Sequence, residues 1–150
     1  MIRVQREDFD PGRELEALTA GNTRIGGVVS FVGVVRDFAG ERPLDAMTLE
    51  HYPGMTEKQL GQIEREAMAR WPLEACLIVH RFGRLSLGDR IVLVMVASSH
   101  RDAAFDACRF LVDWLKTKAP FWKFEEGPQG SRWVEAQASD DAAAARWAKR

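Results

Sequence analysis

The sequence predicts an α+β fold with a mostly antiparallel sheet flanked by helices. Three observations lead there. Short runs of alternating or β-branched residues recur along the chain. Between them lie stretches whose apolar residues fall at helical spacing, and Gly-containing turn dipeptides join two of the strand-like runs.

The opening Ile2-Arg3-Val4-Gln5 alternates and reads as an edge strand. Asp10-Pro11-Gly12 then introduces a short helix over Glu14 to Ala20. Gly26 and Gly27 lead into VVSFVGVV, a buried strand that ends at Arg36-Asp37 and delivers a polar loop from Asp37 to Pro43. Ala46 to His51 is the next strand, broken by Tyr52-Pro53-Gly54. Thr56, with Gln59 three residues on, fits the N-cap of a helix whose Leu60, Ile63, Ala67, Met68 and Trp71 form one apolar face, and Pro72 ends it. Ala75 to Phe82 and Ile91 to Ala97 read as a hairpin turned through Gly83 and Gly88-Asp89. Ser99 is placed to cap a helix with Asp102 in its first turn and a stripe of Ala103, Ala107, Phe110, Leu111 and Trp114, running to Pro120. Arg132 to Gln137 reads as a last short strand. Ser139 opens DDAAAARWAKR, whose acidic-first, basic-last order suits a helix dipole.

With 150 residues, 46% of them hydrophobic and 29% charged, one domain over 1–150 is expected, large enough to bury a full core without disulfides or structural metal. The balance of 21 Lys and Arg against 22 Asp and Glu leaves a formal charge of −1, which excludes a global basic field for coating nucleic acid or anionic lipid. The longest apolar stretches, residues 28–35 and 91–97, fall far short of the ~20 residues of a membrane-spanning helix. The first ten residues lack a signal-peptide layout, so a cytoplasmic location is expected. Cys76 and Cys108 each sit within apolar sequence and read as reduced core thiols. Three scattered His and no paired-ligand motif give no metal site, and no cofactor is expected.

The strongest local charge anomaly is Leu115 to Lys123, where Lys116, Lys118 and Lys123 occur without an acidic residue around Pro120, Phe121 and Trp122. Two readings fit. A stiff aromatic anchor can hold Lys116 and Lys123 toward an anionic ligand, or lysines at a helix C-terminus simply favour the dipole. Ser98-Ser99-His100-Arg101 opens a helix, where free N–H groups and two basic side chains suit phosphate, or merely cap it. Arg36 ends an apolar strand beside a loop, as a ligand-binding or a solvated charge. His51 and His80 read as satisfied structural histidines, and Cys108 as core despite Arg109 beside it.

These segments fall in a distinctive order: FVGVVRD at 31–37, LEHYPGM at 49–55, HRFGRLSLGD at 80–89, SSHRDAAF at 98–105, LKTKAPFWK at 115–123 and WVEA at 133–136. Together they resemble the MoaE family, the catalytic large subunit of molybdopterin synthase, from about residue 2 to residue 147. The resemblance implies an α/β hammerhead type of subunit that forms a homodimer. A small ubiquitin-like sulfur-carrier subunit would bind at each end to complete a heterotetramer. The carrier's C-terminal Gly-Gly thiocarboxylate would enter the pocket, and two sulfurs would convert cyclic pyranopterin monophosphate into the dithiolene of molybdopterin.

By the same resemblance Lys116 and Lys123 are the catalytic lysines. Arg36, His100 and Arg101 are substrate-pocket residues, the last two reaching across from the other protomer. The cations would neutralise the phosphate, Lys116 would stabilise the oxyanion formed as the thiocarboxylate gives up sulfur, and Lys123 would carry a proton. A lysine can do so at neutral pH where a neighbouring cation destabilises its ammonium, as Lys116 would. Val34, Val35, Phe124 and Glu125 would line the pocket, with Glu125 orienting a lysine or a pterin N–H. Gln137 stands where many bacterial members carry Arg, and Val112 where some carry Met. Two rival functions are a sulfurtransferase working through its own cysteine and a non-catalytic anion- or partner-binding module.

Overall fold

A computed structural model describes residues 1–134 and 145–148. In chain order the elements are β1 (Ile2–Gln5), α1 (Pro11–Thr19), β2 (Gly27–Val34), β3 (Phe38–Ala39), β4 (Arg42–Pro43), β5 (Ala46–His51), α2 (Met55–Arg70), β6 (Leu73–Arg81), β7 (Gly83–Ser86), β8 (Arg90–Ser98), α3 (Arg101–Thr117), β9 (Phe121–Gly127) and β10 (Gly130–Val134). The fold is α+β. Its strands form two four-stranded sheets, ordered β1-β6-β8-β2 and β10-β9-β5-β7, with β3 and β4 as a small separate ribbon. Among the described residues only β1 with β6 pairs parallel; the other pairings are antiparallel.

Both faces of the first sheet are covered, which is why β6 and β8 read as nearly continuous apolar runs. On one face Cys76, Ile78, Val92, Val94 and Val96 pack against Ile63 and Ala67 of α2 and Ala104, Ala107, Cys108, Phe110 and Leu111 of α3. On the other face Leu77, Val79, Leu93 and Met95 pack against Phe9 and against Leu18 of α1. A third cluster of Val35, Met47, Leu49 and Leu85 joins the two sheets. Trp147 seals the helix side: it packs edge-on against Trp71 and Phe110, and its indole N–H donates to Asp113 Oδ2 at 2.7 Å. No helix of the described residues is long and apolar enough to cross a membrane.

Several boundaries differ from the sequence reading for local reasons. The first helix starts at Pro11, three residues early, because Asp10 Oδ1 accepts the N–H groups of Gly12 and Arg13 at 3.0 and 3.2 Å. The cap of α2 is Gly54, and Glu57 Oε2 accepts the Gly54 N–H at 2.6 Å. Thr56 lies inside that helix and donates its hydroxyl to Tyr52 O at 2.8 Å. The α3 cap is His100, not Ser99. The Ala75–Ala97 segment is more than a hairpin, since the chain leaves the first sheet at Gly83 (φ 92°) and lays β7 on β5 before returning as β8. The basic segment runs into β9, which the periodicity concealed: its inward residues after Phe121 are Lys123 and Glu125, so the buried face does not read as apolar. The expected last strand is β10 up to Val134; its continuation to Gln137 and most of the expected C-terminal helix lie outside the described residues.

Gly127 is fixed by a close approach, because a Cβ there would lie 2.2 Å from the Pro43 carbonyl oxygen. We expect Gly127→Ala to destabilise the fold by about 1–3 kcal/mol, measured by denaturant unfolding, since backbone rather than a flexible side chain must yield.

Candidate active site

The antiparallel register of β9 decides what the second sheet presents. Lys123 lies opposite Leu49 of β5 and Val134 of β10, and Glu125 opposite Met47 and Arg132. Alternation therefore turns Phe121, Lys123 and Glu125 to one side, and Trp122, Phe124 and Glu126 to the other. The first side faces the C-terminal turn of α3, where Pro120 prevents the helix from continuing and Lys116 sits in the last turn, the end that favours a cation.

Between these elements is a cavity of about 560 Å³. Val112, Leu115 and Lys116 come from α3, Phe31 and Val34 from β2, and Phe38 and Ala39 from β3. Met47 and Leu49 of β5, His80 of β6, Ile91 of β8 and Arg132 of β10 complete the wall, with Arg36 on the loop after β2. Four cationic side chains, Arg36, Lys116, Lys123 and Arg132, thus share the space with one carboxylate, Glu125. Glu125 is 3% exposed, and its Oε1 lies 3.7 Å from Arg132 Nε, an ion pair too long for a hydrogen bond. That oxygen has no hydrogen-bond partner, so a buried acceptor stands ready for a ligand donor.

Of the residues expected from sequence, Lys116, Lys123, Arg36, Val34 and Glu125 line the cavity, and so does Val112. Val35 does not: it is buried in the cluster that joins the sheets, with its N–H donated to Asp89 O at 2.9 Å. Phe124 points to the opposite face and packs against Trp133, centroids 5.1 Å apart. His100 and Arg101 are exposed at the far end of α3. Fifteen residues of helix put Arg101 about 22 Å from Lys116 along the axis, so one chain does not gather them into one site. Gln137 lies outside the described residues.

The two histidines part company. His51 is satisfied: the Thr56 hydroxyl proton goes to Tyr52 O, so its oxygen accepts the His51 Nδ1–H at 3.0 Å. His80 instead reaches the cavity wall, which the sequence reading missed. The available signal was position: on β6 it follows Cys76 and Ile78 at intervals of two, a polar residue on the face turned to α3. Arg132 was missed because its pairing with Glu125 emerges only once β9 is recognised as a strand. Burial pushes the His80 imidazole down to about 4, and the charges of Lys116, His51 and Lys123 push the same way, so the ring is neutral at pH 7. Both cysteines are buried free thiols outside the cavity wall, and burial pushes Cys76 up to about 12 and Cys108 to about 11. Neither is a nucleophile as placed.

A cavity lined by lysines and arginines, with acceptors beside them, suits a ligand that carries negative groups and N–H or O–H donors. Comparison with known proteins gives the family. The family model described as "MoaE protein" matches residues 4–118. The molybdopterin synthase catalytic subunit of Pseudomonas aeruginosa is 61% identical over 146 residues, 97% of each chain. The molybdopterin biosynthesis MoaE protein of Burkholderia ambifaria superposes with a TM-score of 0.84 at 53% identity, covering 99% of this chain and 97% of that one. The crystal structure of molybdopterin synthase from Staphylococcus aureus gives 0.81 at 33% identity, covering 88% and 95%. This chain therefore belongs to the MoaE family.

Proposed function

We propose that the chain is the catalytic subunit of a molybdopterin synthase, an enzyme of molybdenum cofactor biosynthesis. It transfers two sulfurs from the C-terminal thiocarboxylate of a small ubiquitin-like carrier subunit to cyclic pyranopterin monophosphate. The observation that carries this is that Lys116 on α3 and Lys123 on β9 line one cavity together with Arg36 and Glu125. A thiocarboxylate and a cyclic phosphate bring two negative groups together, and fixed cations offset the repulsion that would otherwise expel one of them.

In each transfer the carrier's sulfur attacks a substrate carbon as a C–O bond there breaks, the oxygen leaving as the opened phosphate ester in one transfer and as water in the other, which gives a thioester between carrier and substrate. Water then attacks the thioester carbonyl, and collapse of the tetrahedral oxyanion leaves sulfur on the pterin and a carboxylate on the carrier. Lys116 supplies the charge that stabilises the oxyanion, and Lys123 takes up and returns the proton. Glu125 accepts a pterin N–H or orients a lysine. Arg36 binds phosphate together with His100 and Arg101 of a second copy, which the roughly 22 Å separation within one chain requires. The assembly is a homodimer carrying one carrier at each end, and it works in the cytoplasm, where buried free thiols such as Cys76 and Cys108 stay reduced.

Reconstitution with thiocarboxylated carrier and cyclic pyranopterin monophosphate, with molybdopterin read as its fluorescent oxidised derivative, tests the reading. Wild type forms product, and Lys116→Ala loses roughly 10²–10³-fold in rate without losing carrier binding. No product from a wild-type protein that binds the carrier would sink the enzyme assignment in favour of a docking module. Co-expressing Lys116→Ala with Arg101→Ala chains, each inactive alone, should restore about a quarter of wild-type activity, because half the dimers then hold one intact site. Equal inactivity of the mixture would refute the shared site. The double variant Cys76→Ala with Cys108→Ala should retain activity within a few-fold; its complete loss from a folded protein would restore the cysteine mechanism.

A further inference from the structure

The geometry points to His80 as a substrate-binding residue whose Nε2 accepts a hydrogen bond from an N–H or O–H of the bound heterocycle. The inference rests on the pterin reading of the cavity and deepens it by adding an acceptor to a wall made mostly of donors.

Three observations build it. His80 Nδ1 lies 2.8 Å from the carbonyl oxygen of Arg81, and a carbonyl can only accept, so the proton is on Nδ1 and Nε2 carries the bare lone pair. The ring lies flat on Phe121, with centroids 3.7 Å apart and planes at 14°, which fixes its orientation against the strand that bears Lys123 and Glu125. The ring belongs to the cavity wall, and with Nδ1 committed to the backbone, Nε2 is the nitrogen left for a ligand.

The groups around it explain why this acceptor persists. Lys116 of α3, Lys123 of β9 and His51 of β5 lie close enough for their charges to act on the ring, and Glu125, Arg132 and Arg36 share the cavity wall with it. In so cationic a setting a buried imidazole stays neutral, so it presents a lone pair where lysine and arginine present only N–H donors. A ligand held by its phosphate on the cations can then be told from free phosphate by its heterocycle donors, which meet His80 and Glu125. A site built to receive a donor discriminates strongly against a ligand that lacks it.

The test uses the full protein, with cyclic pyranopterin monophosphate and inorganic phosphate as probes and affinity read by calorimetry under nitrogen. His80→Phe keeps the flat stack on Phe121 and removes the acceptor. His80→Asn keeps an N–H near the Arg81 carbonyl without reaching the cavity, and His80→Gln places an amide oxygen near the position of Nε2. We expect His80→Phe and His80→Asn to weaken pterin binding about tenfold or more while phosphate and carrier affinities stay unchanged, and His80→Gln to recover part of the loss. Nitrogen-15 spectra of the wild type should show the neutral Nδ1–H tautomer between about pH 6 and 8. Unchanged pterin affinity in a folded His80→Phe would overturn the assignment. So would equal weakening toward phosphate, a His80→Gln no better than His80→Phe, or an imidazolium in that pH range. A wild type that binds phosphate but not the pterin would instead overturn the function proposed above.

Discussion

Everything the cavity does depends on the pairing of β9 between β5 and β10. That ladder alone puts Lys123 and Glu125 on the face turned to α3, and a slip of one residue would send both outward and bring Trp122 and Phe124 inside. Register is therefore a functional constraint as much as a structural one. It is held at its far end by Asp45, whose N–H donates to Glu126 O at 2.8 Å, and by the bare backbone contact of Gly127 with Pro43. The first sheet, covered on both faces, acts as the rigid support. The second carries Lys123, Glu125 and Arg132 and meets the first through Val35, Leu49 and Leu85.

The same ladder sets an electrostatic problem. Cations gathered around one small volume repel each other, and an empty cavity is destabilised by that repulsion. The fold limits the cost by leaving Lys116 and Arg36 exposed to water and by placing Glu125 beside Arg132. An arriving anion then relieves repulsion rather than merely making contacts. Anion binding accordingly draws on repulsion already present in the empty cavity, an electrostatic contribution of the kind that salt screens.

The covered sheet and the helices were legible in the sequence because each periodic run had a core to face: β6, β8 and the apolar stripes of α2 and α3 stand where the pattern put them, apart from Met68, which is exposed. Lys116, Lys123 and Arg36 were legible as local charge anomalies, and the resemblance to the MoaE family gathered them into one site. What escaped was part of the second sheet, since β5 and β10 were expected as strands but β7 and β9 were not. Strand β9 lines a cavity instead of a core, so its inward residues are charged and its alternation looks like a polar loop; with it went Arg132, and Phe124 was set on the wrong face. His80 escaped for the opposite reason, since a lone histidine in an apolar strand is ordinarily a filled, satisfied position. Only the tertiary placement of α3 over its end makes it part of a wall.

Trp147 extends this logic to the end of the chain. Its indole N–H donates to Asp113, a carboxylate whose side chain is 13% exposed and which lies one turn before Lys116 on α3; Arg146 stands 3.7 Å from the same oxygen. Without those partners α3 would carry a poorly solvated carboxylate with its charge uncompensated one turn before Lys116. The aromatic seal is thus also an electrical one: from 34 positions away the Trp147 indole, with Arg146 beside it, compensates a half-buried carboxylate one turn from a lysine of the cavity wall.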